Sequence, residues 1–341
     1  MAGQRALVMG ASGFVGSTVT RLLVERGEEV SVLVRESSNT RAFDDLPVTR
    51  HSGGIEDPES IRRAMVDCDV VYYCIVDTRA WLSDPSPLFE TNVEGLRRVL
   101  DVAVNANLQR FVFCSTIGAI AIGGPDEKVN EDKAFNWAGK GGPYIESRRQ
   151  AEDLVLEYAR NRGLPAVALN ISNTYGPGDW APTPHGGLVA AAALGKLPFY
   201  LNNVHSEVVG IEDAAEAMIL ASTKGRIGER YIVSESFMSA KEIYSLAAAE
   251  AGVPAPKYGI PPIALTVTGF LATTIGKLLR RDYPFNMVGV RLMRHVSPLD
   301  HSKATRELGW VPRPTADSIR AAARFALDRR RQSSERKALE H

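Results

Sequence analysis

Ala6-Leu-Val-Met9 runs directly into Gly10-Ala-Ser-Gly13-Phe-Val-Gly16, and this stretch decides the fold. A short apolar run without polar alternation is what a strand buried on both faces requires. The three glycines then let the chain turn tightly at the strand end. They also let the backbone approach a pyrophosphate, whose charge sits at the N-terminus of the helix opening at Phe14. A glycine pattern alone is weak evidence, but here the strand before it, the helix after it and its place at the start of the chain agree. Gly10, Ser12, Gly13, Phe14, Val15 and Gly16 are therefore expected to hold a dinucleotide.

Outward from this turn, apolar runs recur at Val30–Val34, Val70–Tyr73, Arg110–Cys114 and Pro165–Leu169. Between them, apolar residues spaced three or four apart predict helices near 14–26, 58–66, 85–106 and 143–162. The alternation predicts an α/β fold, a doubly wound parallel sheet over residues 1–170. After Asn170 the rhythm breaks at the Pro/Gly-rich loop Tyr175–Pro184, which predicts a smaller, interleaved α/β substrate domain over 171–331. Within that half, residues 228–234 are expected to return as a strand to the main sheet, and Asp317–Arg331 to form a terminal helix. Residues 332–341 are expected to be a tail, ending in Leu339-Glu340-His341 as a tag-derived scar.

Composition bounds the function. Of 341 residues, 45% are hydrophobic, enough for a large core, and 40 Lys+Arg balance 40 Asp+Glu. A chain with no net field is a poor binder of polyanions, so no nucleic-acid partner is expected. Cys68, Cys74 and Cys114 have neither disulfide-framework nor zinc spacing, and Cys74 and Cys114 are expected to be small core residues. No metal site is expected, because the histidines show no ligand spacing with carboxylates. Residues 1–10 carry no charged segment ahead of a longer apolar stretch, and a cytoplasmic location is expected. Ile260–Leu279 is apolar for about 20 residues. Its prolines, threonines, glycines and Lys277 make it a helix over a pocket or core, with membrane-surface contact as the alternative and no membrane span.

Thr91-Asn-Val-Glu-Gly95, Phe111-Val-Phe-Cys-Ser-Thr116, Tyr144-Ile-Glu-Ser-Arg148, Ala151-Glu152, Tyr175-Gly-Pro-Gly-Asp179 and Ser302–Trp310 follow one another along the chain. In that order they resemble an extended short-chain dehydrogenase/reductase, a Rossmann-sheet enzyme of the NAD-dependent epimerase/dehydratase-like group. Asp77–Trp81 and Asp179–Pro184 look more specifically like the branch of dihydroflavonol-4-reductase-like proteins and hopanoid-associated sugar epimerases, near hydroxysteroid dehydrogenases. The resemblance implies a Ser/Thr, a Tyr and a Lys four residues after the Tyr as the catalytic set. By position these are Thr116, Tyr144 and, in place of the lysine, Arg148. It also implies cofactor contacts at Ile55, Ile75, Val76, Ser115 and Ser172, and a homodimer through the helices near 85–106 and 143–162.

Arg35 stands nineteen residues past Gly16, where a carboxylate would hold the ribose of NAD. An arginine there, with Ser37 beside it, can pair with a 2′-phosphate, so NADP(H) is favoured and NAD(H) is the alternative. A guanidinium at 148 is expected to lower the Tyr144 pKa while being unable to release a proton. Trp81, Tyr175, Trp180 and Phe199 are candidates for lining a substrate pocket. The leading expectation is an NADP-dependent oxidoreductase acting on a carbonyl/alcohol pair of a fairly hydrophobic small molecule. The alternative is a nucleotide-sugar epimerase or dehydratase, with Lys196, Arg226 and Arg291 as cations for a diphosphate. A catalytically weak dinucleotide-binding sensor is the third reading.

Overall fold

The computed structural model describes residues 4–124, 127–137, 139–279, 281–283, 287–294 and 296–339. The first half runs β1 (Arg5–Met9), α1 (Phe14–Glu25), β2 (Glu29–Val34), β3 (Thr49–Ser52), α2 (Pro58–Met65) and β4 (Val70–Tyr73). It continues with α3 (Ser86–Phe89), α4 (Leu96–Ala103), β5 (Arg110–Thr116), α5 (Gly142–Arg162) and β6 (Ala166–Ile171). The second half runs β7 (Asn173–Tyr175), α6 (Pro184–Ala193), β8 (Phe199–Leu201), β9 (His205–Gly210), α7 (Ile211–Lys224), β10 (Arg230–Val233) and β11 (Ser236–Ser239). Then follow α8 (Ala240–Glu250), β12 (Tyr258–Ile260), α9 (Pro262–Leu279), α10 (Met287–Arg294), α11 (Ser302–Leu308) and α12 (Thr315–Leu339).

Seven strands, all parallel, form the main sheet in the order β10-β6-β5-β4-β1-β2-β3. Alternation along β1 explains why its run is wholly apolar. Ala6 and Val8 enter a core with Val19 and Leu23 of α1, Met218 of α7 and Trp310. Leu7 and Met9 enter the opposite core with Ile61 of α2, Val99 of α4 and Leu154 of α5. The strand order reverses between β1 and β4, so their carboxyl ends open the crevice where such sheets bind ligands.

Three differences from the sequence expectation have physical reasons. The edge strand β3, Thr49-Arg-His-Ser52, is too short and polar to show periodicity, as edge strands often are. The helix expected over 85–106 is α3 and α4 joined by a π turn, Glu90–Gly95. The terminal helix α12 continues through the expected tail to Leu339, while Glu340 and His341 lie outside the described residues.

The second half builds a three-stranded sheet, β11-β9-β7, and a two-stranded pair, β12-β8. α6, α8 and α12 pack into its core through Val189, Tyr244, Ala247, Ile319 and Ala323. The two halves are stitched by β10, which lies beside β6, and by a buried ion pair. Arg230 Nη1 reaches Glu152 Oε1 at 3.0 Å, and Glu152 is fully buried. Among the described residues no helix is long and apolar enough to cross a membrane.

Candidate active site

The glycine turn is built by steric exclusion. Gly10 has φ +91°, a conformation glycine adopts freely, and a Cβ there would lie 2.8 Å from the Cys74 carbonyl carbon and 2.9 Å from the Ile75 nitrogen. A Cβ on Gly16 would overlap the Gly10 carbonyl oxygen. Gly13 is the N-cap of α1 and supplies no side-chain acceptor, and the first turn contains no acidic residue. By contrast α2, α6 and α8 are capped by the side chains of Asp57, Thr183 and Ser239. The uncapped, positive end of α1 is thus left to an anion brought from outside.

The expected catalytic residues come from β5 and α5. Thr116 ends β5, and its Oγ1 accepts from Gly118 N at 3.2 Å, which leaves the hydroxyl hydrogen to donate elsewhere. Tyr144 and Arg148 lie one turn apart near the start of α5. Arg148 is 2% exposed, donates from Nη2 to the Cys114 carbonyl at 2.7 Å and stands over the Phe113 ring. Its Nε and Nη1 are buried without a partner in the protein, as is the Tyr73 hydroxyl. Orphaned donors on a buried cation beside the crevice fit a group with ribose hydroxyls.

Tyr144 departs from the expectation of a lowered pKa. Burial pushes it up, the Arg148 guanidinium pulls it back only in part, and it lies above the ordinary tyrosine value. The phenol is protonated at neutral pH, which suits a proton donor.

Other expected residues are placed unevenly. Ile75 and Val76 follow Cys74 past the end of β4, with the Ile75 nitrogen beside Gly10. Ile55 lies against Gly95 at the end of the π turn. Ser172 is buried between β6 and β7, with its hydroxyl unpartnered. Ser115 is also buried, but its hydroxyl donates to Glu152, leaving only its backbone for a cofactor. Arg35 and Ser37 are exposed just past β2, where the Arg35 amide donates to Ser38 Oγ at 3.1 Å.

The aromatic candidates do not gather at one wall. Tyr175 is 3% exposed, edge-on to His185, within the core of the second half. Trp180 is covered by Arg41, whose guanidinium carbon is 4.2 Å from the ring centre, and meets Phe325 of α12 edge-on. Phe199 is 41% exposed on β8, and Trp81 is half-buried in the loop after β4. Of the diphosphate cations, Arg226 is held bidentately by Glu307 at 2.9 and 3.1 Å. Among the described residues no group of three His, Cys, Asp or Glu side chains could hold a metal ion.

Two features carry more than the sequence reading gave them. Asn92, 1% exposed in the π turn, accepts from the Asp77 amide at 2.8 Å and donates to the Asp77 carbonyl at 3.0 Å and to Ser147 Oγ at 3.1 Å. It thereby ties the loop after β4 to α5 one residue before Arg148; its only signal was its place in the Thr91–Gly95 motif. Cys74, just past β4, and Cys114 of β5 stand at the crevice end of neighbouring strands, where the Cys74 thiol meets Met218 Sδ at 4.0 Å and the Cys114 thiol the Ser115 carbonyl at 3.9 Å.

The model of the NAD dependent epimerase/dehydratase family matches residues 6–234. Sterol demethylase protein B of Methylococcus capsulatus is 30% identical over 326 residues, covering 95% of this chain and 98% of that one. A putative dihydroflavonol 4-reductase of Synechocystis sp. is 29% identical, covering 89% and 88%. The crystal structure of gox2253 superposes with a TM-score of 0.83 at 28% identity, over 96% and 99% of the two chains.

Two more distant structures correct the cofactor expectation. The dTDP-glucose 4,6-dehydratase DesIV of Streptomyces venezuelae (21% identity, TM-score 0.76, 96% and 98% covered) was solved with NAD. So was the UDP-glucose 4-epimerase of Thermus thermophilus (23%, TM-score 0.75, 95% and 99% covered). These relatives overturn the preference for NADP(H) drawn from Arg35. The physical reason is its setting: Arg35 is exposed, beside Glu36, and an exposed cation is a solvated charge rather than a fixed phosphate ligand.

Proposed function

Because the chain belongs to the NAD dependent epimerase/dehydratase family, whose chemistry is at a CH–OH or carbonyl carbon, we propose that it binds NAD(H) and works as an epimerase/dehydratase-type enzyme on a small molecule. Gly10, Gly13, Gly16 and the open end of α1 would hold the pyrophosphate, and Arg148 and Ser172 the nicotinamide half. NAD held there would supply a reversible hydride acceptor for the substrate carbon. Thr116 donates a hydrogen bond to the substrate oxygen, and Tyr144 exchanges that oxygen's proton. Tyr144 must shed its proton to solvent before it can take the alcohol's proton, and Arg148 supplies the fixed positive charge that stabilises that phenolate.

The observation that carries this reading is the buried Arg148 guanidinium with two unpartnered nitrogens beside Tyr144. The test is to purify the protein with NAD and add candidate alcohols and sugars. The expected result is NAD retained through gel filtration and a substrate altered without net change in nicotinamide absorbance.

A second reading, net NADH-dependent reduction of a carbonyl, is favoured by the raised Tyr144 pKa and the absence of a proton-releasing lysine. Stoichiometric NADH consumption over a carbonyl panel would establish it in place of the first. The dihydroflavonol-4-reductase-like placement, with an apolar substrate, draws its support from the two relatives matched over nearly their whole length. We also propose a homodimer across α4 and α5, as the family resemblance implies. Light scattering should give twice the chain mass, and a monomer mass at micromolar concentration counts against it.

A further inference from the structure

α9 turns an apolar stripe outward. Ile263, Val267, Phe270, Leu271, Ile275 and Leu278 recur at spacings of three and four and are between 48% and 82% exposed, while Leu265 faces the core at 6%. Scattered exposed apolar residues are normal, but a continuous stripe along an 18-residue helix marks a contact.

The threonine hydroxyls on this helix are already satisfied. The hydroxyls of Thr266, Thr268, Thr273 and Thr274 donate back to the carbonyls of Pro262, Ala264, Gly269 and Phe270, at 2.7 to 3.0 Å. Thr268 and Thr274 lie on the exposed side, so even there the hydroxyl hydrogens are turned inward. A face with its hydroxyls folded away can enter an apolar phase at little cost in lost hydrogen bonds.

Charge selects the occupant. The sequence from Pro262 to Arg281 contains no Asp or Glu, and its end carries Lys277, Arg280 and Arg281. Exposed Lys257 and Tyr258 precede it. The nearest carboxylate in sequence, Asp282, is engaged by Ser83 N, so a second copy of α9 would bring little free negative charge to meet these cations, whereas anionic headgroups would. The helix is not long and apolar enough to cross a bilayer, which leaves lying in its surface.

We propose that α9 docks this enzyme in the plane of a membrane surface containing anionic lipid. The docking face adjoins the candidate active site. Asp282 Oδ1, just beyond α9, accepts from Ser83 N in the loop after β4 at 2.8 Å. α10, packed on α9, sets Val288 against Gly142, two residues before Tyr144. A docked molecule therefore holds its crevice beside the headgroup layer, where a lipid-soluble substrate is concentrated.

Co-flotation of the full chain with vesicles tests this without reference to activity. Binding is expected to phosphatidylcholine vesicles containing phosphatidylglycerol, weaker to phosphatidylcholine alone, and reduced by salt. Leu271→Asp should lower the partition coefficient at least about tenfold. Arg280→Gln with Arg281→Gln should lower it about fivefold per cation. Leu278→Asp, at the most exposed position, gives the same reading if circular dichroism finds Leu271→Asp altered in fold. Val311→Asp, equally exposed but off the helix, should float like the parent. The proposal falls if the parent floats with neither vesicle, or if both aspartate variants float as well as the parent. It also falls if light scattering gives the parent twice the mass of Leu271→Asp, which would make a second copy the occupant.

Discussion

The two ends of the crevice are made by opposite means. At the start of α1 the protein leaves side chains out, and the backbone carbonyl of Gly10 and the β4 end close to within the reach of a single methyl group. At the start of α5 it packs a large cation in, with Arg148 buried against Phe113 and the Cys114 carbonyl. The first end depends on shape and tolerates no added atom. The second, on our proposal, depends on charge, and it is predicted to tolerate changed atoms provided the charge remains.

The largest effect expected from this contrast is at Gly16. Gly16→Ala puts a methyl group into the Gly10 carbonyl, so the α1 end must shift. Overpacking of this kind costs about 1–3 kcal/mol. Urea denaturation should report that loss and calorimetry an undetectable affinity for NAD. Unchanged NAD affinity would break the shape argument.

Next in size is Tyr144→Phe, which keeps the shape and removes the proton. Turnover should fall by about 10²–10⁴-fold, with NAD affinity held within a few fold. An unchanged rate would move the chemistry away from α5 altogether.

Smaller changes are expected at Arg148, and they separate its two jobs. Arg148→Lys keeps the cation and adds a removable proton, so oxidation of an alcohol should speed up more than reduction of a carbonyl. Arg148→Met removes the cation that pulls the Tyr144 pKa down, so the alkaline loss of reductive activity should move to higher pH. Stability follows the same sign. The folded state holds the phenol proton more tightly than the unfolded chain, so the contribution is full below the ordinary value near 10 and is lost as pH rises through the folded value. A pH–rate profile unmoved by Arg148→Met would remove the electrostatic role.

The smallest effect is predicted at Arg35. Exposed and outside both constructions, Arg35→Ala should change NAD affinity by less than about threefold in calorimetry, within the range of a surface charge. A larger loss would mean that the adenosine end has a third, cation-based element.

How much of this was visible in the sequence follows from how each part is built. The glycine turn was legible because exclusion leaves a pattern: small residues at fixed spacing between a strand and a helix. The buried strands were legible because parallel strands covered on both faces must be apolar throughout. β3 was not, since an edge strand is free to be polar, and neither were the three-residue strands β7, β8 and β12, which are shorter than a period can resolve. In the candidate site, Thr116, Tyr144 and Arg148 were assigned by position in the motifs. The raised Tyr144 pKa was not, because burial depends on everything packed around the ring. The surroundings of the aromatic candidates were hidden for the same reason: Tyr175 and Trp180 were chosen by residue type, and packing sets them against His185, Arg41 and Phe325.

The Glu152–Arg230 pair also sets an order of events during synthesis. Glu152 is complete with α5, and β6 follows at once, but its partner lies about sixty residues further on. At translation rates of about 5–20 residues per second, that gap lasts roughly 3–12 s. For those seconds the Glu152 carboxylate of the nascent first half is held by Ser115, Asn170 and the longer 3.9 Å contact to Arg149 alone, and the β6 edge of the sheet is open. The sheet therefore cannot close on its own as the ribosome makes it. It waits for a strand from the far side of the small domain, so a chain cut after β6 should be held by chaperones or aggregate rather than persist as a free nucleotide-binding module.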